Sequence, residues 1–201
     1  KHPVIVYYHG GAFLAGDKKY RVSICEYYAK EGYFVFCPNY RMPPEVDYKG
    51  LMRDCVDSLN FVQALAEKYN IDPERVYVIG FSAGGHLAAM YSTQHDCTEV
   101  RQMFPESKGA NASILCYPVI TADSSFTHAG SMLNLLGHVP DAEEVERFSN
   151  EKHVTAKTPQ TFLWHTFTDE TVAVKNTLVY AQALEEQGVP FELHIYPKGN
   201  H

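Results

Sequence analysis

The chain has 201 residues, 45% of them apolar and 20% charged, with 17 Lys and Arg against 24 Asp and Glu for a net charge of −7. That length predicts one domain that buries a core without a metal or disulfide staple, and an aromatic content of 13% excludes a disordered chain. The acidic balance excludes a nucleic-acid binder, which needs a basic face to neutralise phosphates.

In chain order, residues 3–8 (Pro-Val-Ile-Val-Tyr-Tyr) are an apolar run that reads as a buried strand. Residues 18–30 read as a helix ended by Gly32. Lys18, Lys19 and Arg21 form the densest basic cluster, read as a solvated face of that helix. Residues 33–37 read as a second strand, stopped by Pro38. Residues 51–69 carry Cys55, Leu59, Val62, Ala66 and Tyr69 at three- and four-residue steps, the period of a helix. A loop at 70–73, a strand at 75–79 and a helix at about 83–94 follow. Residues 111–119, 161–166 and 191–196 read as three further strands. Between the last two, a helix at 171–187 has Val174, Leu178, Ala181 and Leu184 on one face and Gly188 as its stop.

Strands alternating with helices imply an α/β fold with a mostly parallel sheet and helices on both faces. Ligands of such sheets bind outside the carboxyl ends of the strands, so the residues just after each strand are candidates for chemistry. The stretch 120–160 breaks the alternation, with one short helical pattern near 141–148. A connection of that length reads as a lid or substrate insertion in a single catalytic domain spanning 1–201. No run approaches the ~18 apolar residues of a membrane helix. The chain starts at Lys1, just before an apolar run, and stops at His201, just after a turn signal. It therefore reads as a fragment of a longer protein.

The five cysteines are widely spaced, with no Cys-x-x-Cys. That argues against a disulfide framework and favours a reducing, cytoplasmic setting. No histidine and carboxylate set has metal-ligand spacing, so neither a metal nor another cofactor is expected. The Asn111-Ala-Ser113 sequon falls in a predicted buried strand, which argues against glycosylation.

The strand at 75–79 runs into Gly80-Phe81-Ser82-Ala83-Gly84-Gly85-His86, a Gly-x-Ser-x-Gly at a strand-to-helix junction. Such a turn pushes a serine hydroxyl out above the sheet and puts it at a helix N-terminus, which favours negative charge. By composition the pattern arises by chance in about one chain in fifteen of this length, so the strand–turn–helix context decides. After the first strand, His9-Gly10-Gly11-Ala12-Phe13 is a glycine-rich turn whose N–H groups could hold an oxyanion together with that of Ala83. A phosphate loop is excluded because Gly16 is followed by Asp17 where a Walker pattern needs Lys. A serine nucleophile needs a base and an orienting carboxylate, in the chain order Ser, acid, His. Asp169 follows the strand at 161–166, with Glu170 as fallback, and Asp169 could also cap helix 171–187. His201 follows the last strand, whereas His194 lies inside it as a packed histidine. His86 is expected to pack under the turn, and His9 to shape the glycine-rich loop.

The motifs His-Gly-Gly-Ala-Phe at 9–13, Asn-Tyr-Arg-Met-Pro-Pro-Glu at 39–45 with Asp54 downstream, and Gly-Phe-Ser-Ala-Gly-Gly-His at 80–86 together resemble the α/β-hydrolase esterases related to hormone-sensitive lipase. Within that group the chain is most similar to bacterial acetyl-esterase and acetylxylan-esterase-like sugar hydrolases. The stretches 128–137 and 188–201 carry the same likeness. The resemblance implies Ser82 as nucleophile, Asp169 as acid, His201 as base and oxyanion donors from Gly11, Ala12 and Ala83. It implies hydrolysis of short-chain esters, acetyl above all, through an acyl-enzyme with a small-molecule ester as partner; a homo-oligomer is left open. Ala12 stands where the family usually has a third glycine. The strands that usually precede the first strand, and the helix that follows the catalytic His, are outside this sequence. An amide hydrolase or peptidase with the same three residues, and a binding protein on the same fold, are the rival readings.

Overall fold

The computed structural model describes all 201 residues. In chain order it has β1 (His2–Tyr8), a 3-10 turn (Lys18–Arg21), α1 (Val22–Lys30), β2 (Phe34–Phe36), α2 (Tyr48–Ala64), β3 (Ile71–Phe81), α3 (Ala83–Gln94) and α4 (Thr98–Met103). Then come β4 (Ala112–Cys116), α5 (Ala129–Leu136), α6 (Ala142–Phe148), a second 3-10 turn (Asn150–His153), β5 (Gln160–Thr166), α7 (Lys175–Glu186) and β6 (Phe191–Tyr196). The strands make one sheet in the order β2-β1-β3-β4-β5-β6, and every neighbouring pair is parallel. The chain winds from β1 to one side and then returns to place β3 on the other. This reversal opens a crevice at the carboxyl ends of β1 and β3. The register aligns Tyr8 with Gly80, so the residues after both strands emerge side by side.

The alternation of side chains along the strands divides the core. Val4, Val6, Tyr8, Val76, Val78, Leu115 and Leu163 face α2, α3 and α7, where Leu51, Leu59, Leu87, Tyr91, Tyr180 and Leu184 complete one large buried cluster. The opposite face buries Ile5, Tyr7, Ile79 and Cys116 beneath Ile24 and Tyr28 of α1. Helices therefore cover both faces, unevenly. Every residue of α3 from Ala83 to Thr93 is buried. A helix buried on all sides needs no polar stripe, and it anchors the turn that precedes it. No helix is long and apolar enough to cross a membrane, and all five cysteines are free thiols.

Several boundaries differ from the sequence reading for local reasons. Helix α2 starts earlier because the Asp47 carboxylate accepts the N–H groups of Lys49 and Gly50 at 3.0 and 3.1 Å. It ends at Ala64; Tyr69 keeps the apolar rhythm from a turn by packing on Phe34. The Asp72-Pro73 turn signal interrupts β3 rather than preceding it: Ile71 pairs with His2, and pairing resumes with Val76 against Val4 after a bulge. Helix α7 starts at Lys175, so Asp169 does not cap it; its carboxylate caps the preceding turn through Thr171 and Val172. Asn111 lies exposed at the entrance of β4, not inside a buried strand, and its Oδ1 accepts the N–H of Val76 at 2.7 Å.

The segment 120–160 holds two short helices where one was expected. Helix α5 opens with the unusual cap His128, whose Nδ1 accepts the N–H of Ser131 at 3.2 Å, and closes on Gly137 in the left-handed conformation. Helix α6 has a full capping box between Asp141 and Glu144. The segment is tied down at both ends. Asn176 Oδ1 accepts the N–H groups of Ile120 and Thr121 at 2.9 and 3.2 Å, and Ser149 Oγ accepts that of Ala122 at 3.0 Å.

Candidate active site

Ser82 sits at φ 56° and ψ −120°, a strained backbone for a residue with a side chain. Packing holds it there: a Cβ on Gly80 would land on the Gly84 carbonyl, and one on Gly84 would strike the carbonyls of Tyr8 and His9. Strand and helix can meet this closely only with glycine at both places. His86, one helical turn on, is fully buried beneath the turn, edge-on to Phe13 at 5.9 Å, with Nδ1 accepting from Asn150 Nδ2 at 3.2 Å. Burial pushes its pKa down to about 4, so it stays neutral.

His201 brings Nε2 to 2.8 Å from Ser82 Oγ and Nδ1 to 2.7 Å from Asp169 Oδ2. With the ring proton on Nδ1, Ser82 donates to Nε2 and His201 donates to Asp169. The loop that carries His201 is pinned by threonines. Gly199 O accepts the hydroxyls of Thr166 at 2.9 Å and Thr168 at 3.1 Å, and Gly199 N–H donates to Thr168 Oγ1 at 3.0 Å. The His201 ring stands edge-on to Tyr117, centroids 4.7 Å apart.

Asp169 is buried. Desolvation would raise its pKa, but the N–H of Val172, His201 and the N–H of Thr171 outweigh it and hold the carboxyl below its ordinary value. It is thus an anion at neutral pH. A second histidine, His165, also reaches Asp169 Oδ2, at 3.2 Å; its Nε2 proton is shared with Val172 O at 2.9 Å, and Nδ1 accepts from Thr177 Oγ1 at 2.7 Å. Burial lowers the pKa of His165 and keeps it neutral. The fallback Glu170 is exposed and outside this network. His194 is half-exposed on the edge strand and bonds Glu192 at 2.6 Å rather than packing inside.

The glycine-rich loop turns through three consecutive positive φ values, Gly11 at 136°, Ala12 at 55° and Phe13 at 56°. The N–H groups of Gly11, Ala12 and Ala83 have no acceptor within the chain, and Gly11 and Ala12 line the same cavity as Ser82. Three contacts hold the loop: His9 Nδ1 donates to Gly10 O at 2.9 Å, Tyr40 donates to His9 O at 2.6 Å and stacks on its ring, and Asn134 of α5 donates to Ala12 O at 2.8 Å. Tyr40 is placed in turn by Arg41, whose guanidinium grips Asp54 with its closest contact at 2.6 Å. This accounts for the spacing of the 39–45 motif and Asp54.

A cavity of about 750 Å³ opens over Ser82 and His201, within the size range of small-molecule sites. Gly11 and Ala12 form one wall, Tyr7, Tyr20 and Tyr117 supply aromatic surface, and His128 is the one lining residue from the segment 120–160. Arg21 also lines it, which overturns the reading of that residue as part of a solvated helix face. No group of three or more His, Cys, Asp or Glu side chains is placed to hold a metal ion. Arg21, Tyr117 and His165 carry no motif in the sequence; only the fold brings them to the site, as it brings Asn134, from within the stretch 128–137, to Ala12.

A family model described as BD-FAE matches residues 1–184. The chain is 31% identical to an acetylxylan esterase of Xylanibacter ruminicola over 96% of its own length and 39% of that protein's. It is 38% identical to endo-1,4-beta-xylanase B of Butyrivibrio fibrisolvens over 77% of its length and 24% of that protein's. The chain thus spans well under half the length of these curated relatives. Among solved structures, it superposes on an acetyl ester-xyloside bifunctional hydrolase of Caldicellulosiruptor lactoaceticus with a TM-score of 0.90 at 38% identity, covering 100% of this chain and 74% of that one.

Proposed function

The chain belongs to the BD-FAE family, an α/β-hydrolase family, and from that premise we propose that it is a serine carboxylesterase that removes short acyl groups, acetyl first, from sugars or xylan fragments. The observation that carries the reading is the unbroken relay from Ser82 Oγ through His201 to Asp169, at 2.8 and 2.7 Å, beside three unengaged N–H groups.

In this reading His201 Nε2 takes the Ser82 proton as Oγ attacks the ester carbonyl. The carbonyl oxygen becomes an anion held by the N–H groups of Gly11, Ala12 and Ala83, each donor worth about 3–4 kcal/mol of barrier. His201 then protonates the departing alcohol. Water, deprotonated by His201, attacks the acyl group on Ser82 and releases the carboxylic acid. Asp169 keeps the imidazole in the productive tautomer and stabilises its cation. The whole chain acts as one catalytic domain, and the segment 120–160 takes part in substrate selection through His128 at the pocket wall. Acetyl is favoured by the names of the relatives and by a pocket whose oxyanion wall is built from small residues.

Hydrolysis of p-nitrophenyl acetate and butyrate tests this, with acetylated xylo-oligosaccharides as the natural-type substrate. Acetate should be preferred, and Ser82→Ala and His201→Ala should each lower the rate by at least about 10³-fold. A folded chain that cleaves N-formyl or peptide substrates and no ester would refute the reading.

A further inference from the structure

Five of the six arginines have partners inside the chain. Arg41, Arg53, Arg75 and Arg147 each meet a carboxylate at 2.6–2.8 Å, and Arg101 donates to the carbonyls of Pro105 and Ser107. Arg21 alone has no carboxylate or carbonyl acceptor, and its Nε is sealed from solvent with no hydrogen-bond partner. A shielded donor without an acceptor costs stability unless something fills the place. Nothing in the chain does. Asp17, four residues earlier, is occupied by Lys19, whose N–H it accepts at 2.9 Å and whose ammonium lies at 3.6 Å.

Arg21 lies on the wall of the cavity that holds Ser82 and His201, and no Asp or Glu lines that cavity. Three other lining groups are held in their neutral forms. Burial raises the Tyr7 and Tyr117 hydroxyls, and burial lowers His128. The guanidinium is therefore the one permanent charge facing the substrate space. Its planar fork fits a carboxylate through two parallel hydrogen bonds, a geometry that an ammonium cannot offer.

Resting on the esterase reading, we infer that Arg21 is a carboxylate-recognition residue: the substrate is an ester that also bears a carboxylate, bound by the Arg21 guanidinium while its ester carbonyl lies over Ser82. The hydrolytic step is unchanged, with water consumed and the acid and alcohol halves released. Acidic sugars and dicarboxylic half-esters both have this chemistry, one placing the charge on the alcohol half and the other on the acyl half.

Calorimetric binding to the Ser82→Ala chain separates these cases without turnover. One pair of ligands is 4-acetoxybenzoate and its neutral isostere 4-acetoxybenzamide, with the charge on the alcohol half. The other is monomethyl succinate and methyl succinamate, with the charge on the acyl half. In at least one pair the carboxylate should bind ten-fold or more tightly than its isostere. That ratio should collapse to within two-fold in Ser82→Ala/Arg21→Gln and fall at least three-fold in Ser82→Ala/Arg21→Lys, which keeps the charge and loses the fork. Binding of the neutral isostere controls for an intact pocket, and the lysine variant decides if the glutamine variant does not fold. No discrimination in either pair, or discrimination that survives both substitutions, overturns the inference. Hydrolysis of p-nitrophenyl acetate by the unsubstituted chain reports on the esterase reading separately: its absence beside an Arg21-dependent ratio would remove the reaction and leave the carboxylate site standing.

Discussion

Ser82 and His201 reach the same point by opposite means. Ser82 is fixed by backbone: a strained turn, two glycines that let β3 and α3 touch, and a helix buried on every side. His201 is fixed by side chains: two threonine hydroxyls on Gly199, a tyrosine ring and the Asp169 carboxylate, beyond the exposed edge strand β6. The position of Ser82 is thus part of the core's packing, whereas that of His201 is set by a small hydrogen-bond network laid on the rim. Damage on the first side should cost the fold, and damage on the second should cost the rate.

The largest expected effect is on the rim. Asp169→Asn leaves its neighbours in place but removes the anion that orients His201, and kcat should fall by about 10⁴-fold with little change in thermal stability. The matching substitution on the packed side is Gly84→Ala, whose Cβ would meet the carbonyls of Tyr8 and His9. It should destabilise by about 3 kcal/mol or more, read as a lower denaturant midpoint, so activity is lost with the fold. If Gly84→Ala folds normally and loses only rate, the contrast between the two sides is wrong.

Much of this contrast was legible before the fold was known. Gly80, Ser82 and Gly84 announce a backbone-built turn because their spacing has a steric cause. Asp169 and His201 follow from chain order, since each comes just after a strand. Arg21, Tyr117 and His165, and the contact that Asn134 makes, could not be read in this way. Each is an ordinary residue in its own segment and acquires a role only from neighbours far away in sequence, as Asn134 does in meeting Ala12. The helix α5 was missed because its cap is a histidine, a residue that turn and cap rules do not mark.

The packed side should also be the acid-labile one. His86 is buried with a pKa lowered to about 4, against an ordinary 6.5 in the unfolded chain. Between those values the unfolded state binds a proton that the native state does not. Stability therefore rises with pH from about 4 to 6.5, by about 3 kcal/mol for this group. His86→Gln should flatten that part of the stability profile. A slope unchanged in His86→Gln would assign the acid lability elsewhere. The smallest effect is expected at Thr168→Val, which removes two of the three hydrogen bonds to Gly199 and should lower kcat about ten-fold with KM unchanged.

The proposed mechanism requires an acyl group on Ser82, and the direct measurement is acid-quenched mass spectrometry of the chain during hydrolysis of p-nitrophenyl acetate. An acetyl group should be found on the peptide that carries Ser82, at up to one per chain, and should be absent in His201→Ala. Turnover with no acetylated peptide, or with the acetyl group on another residue, would contradict it.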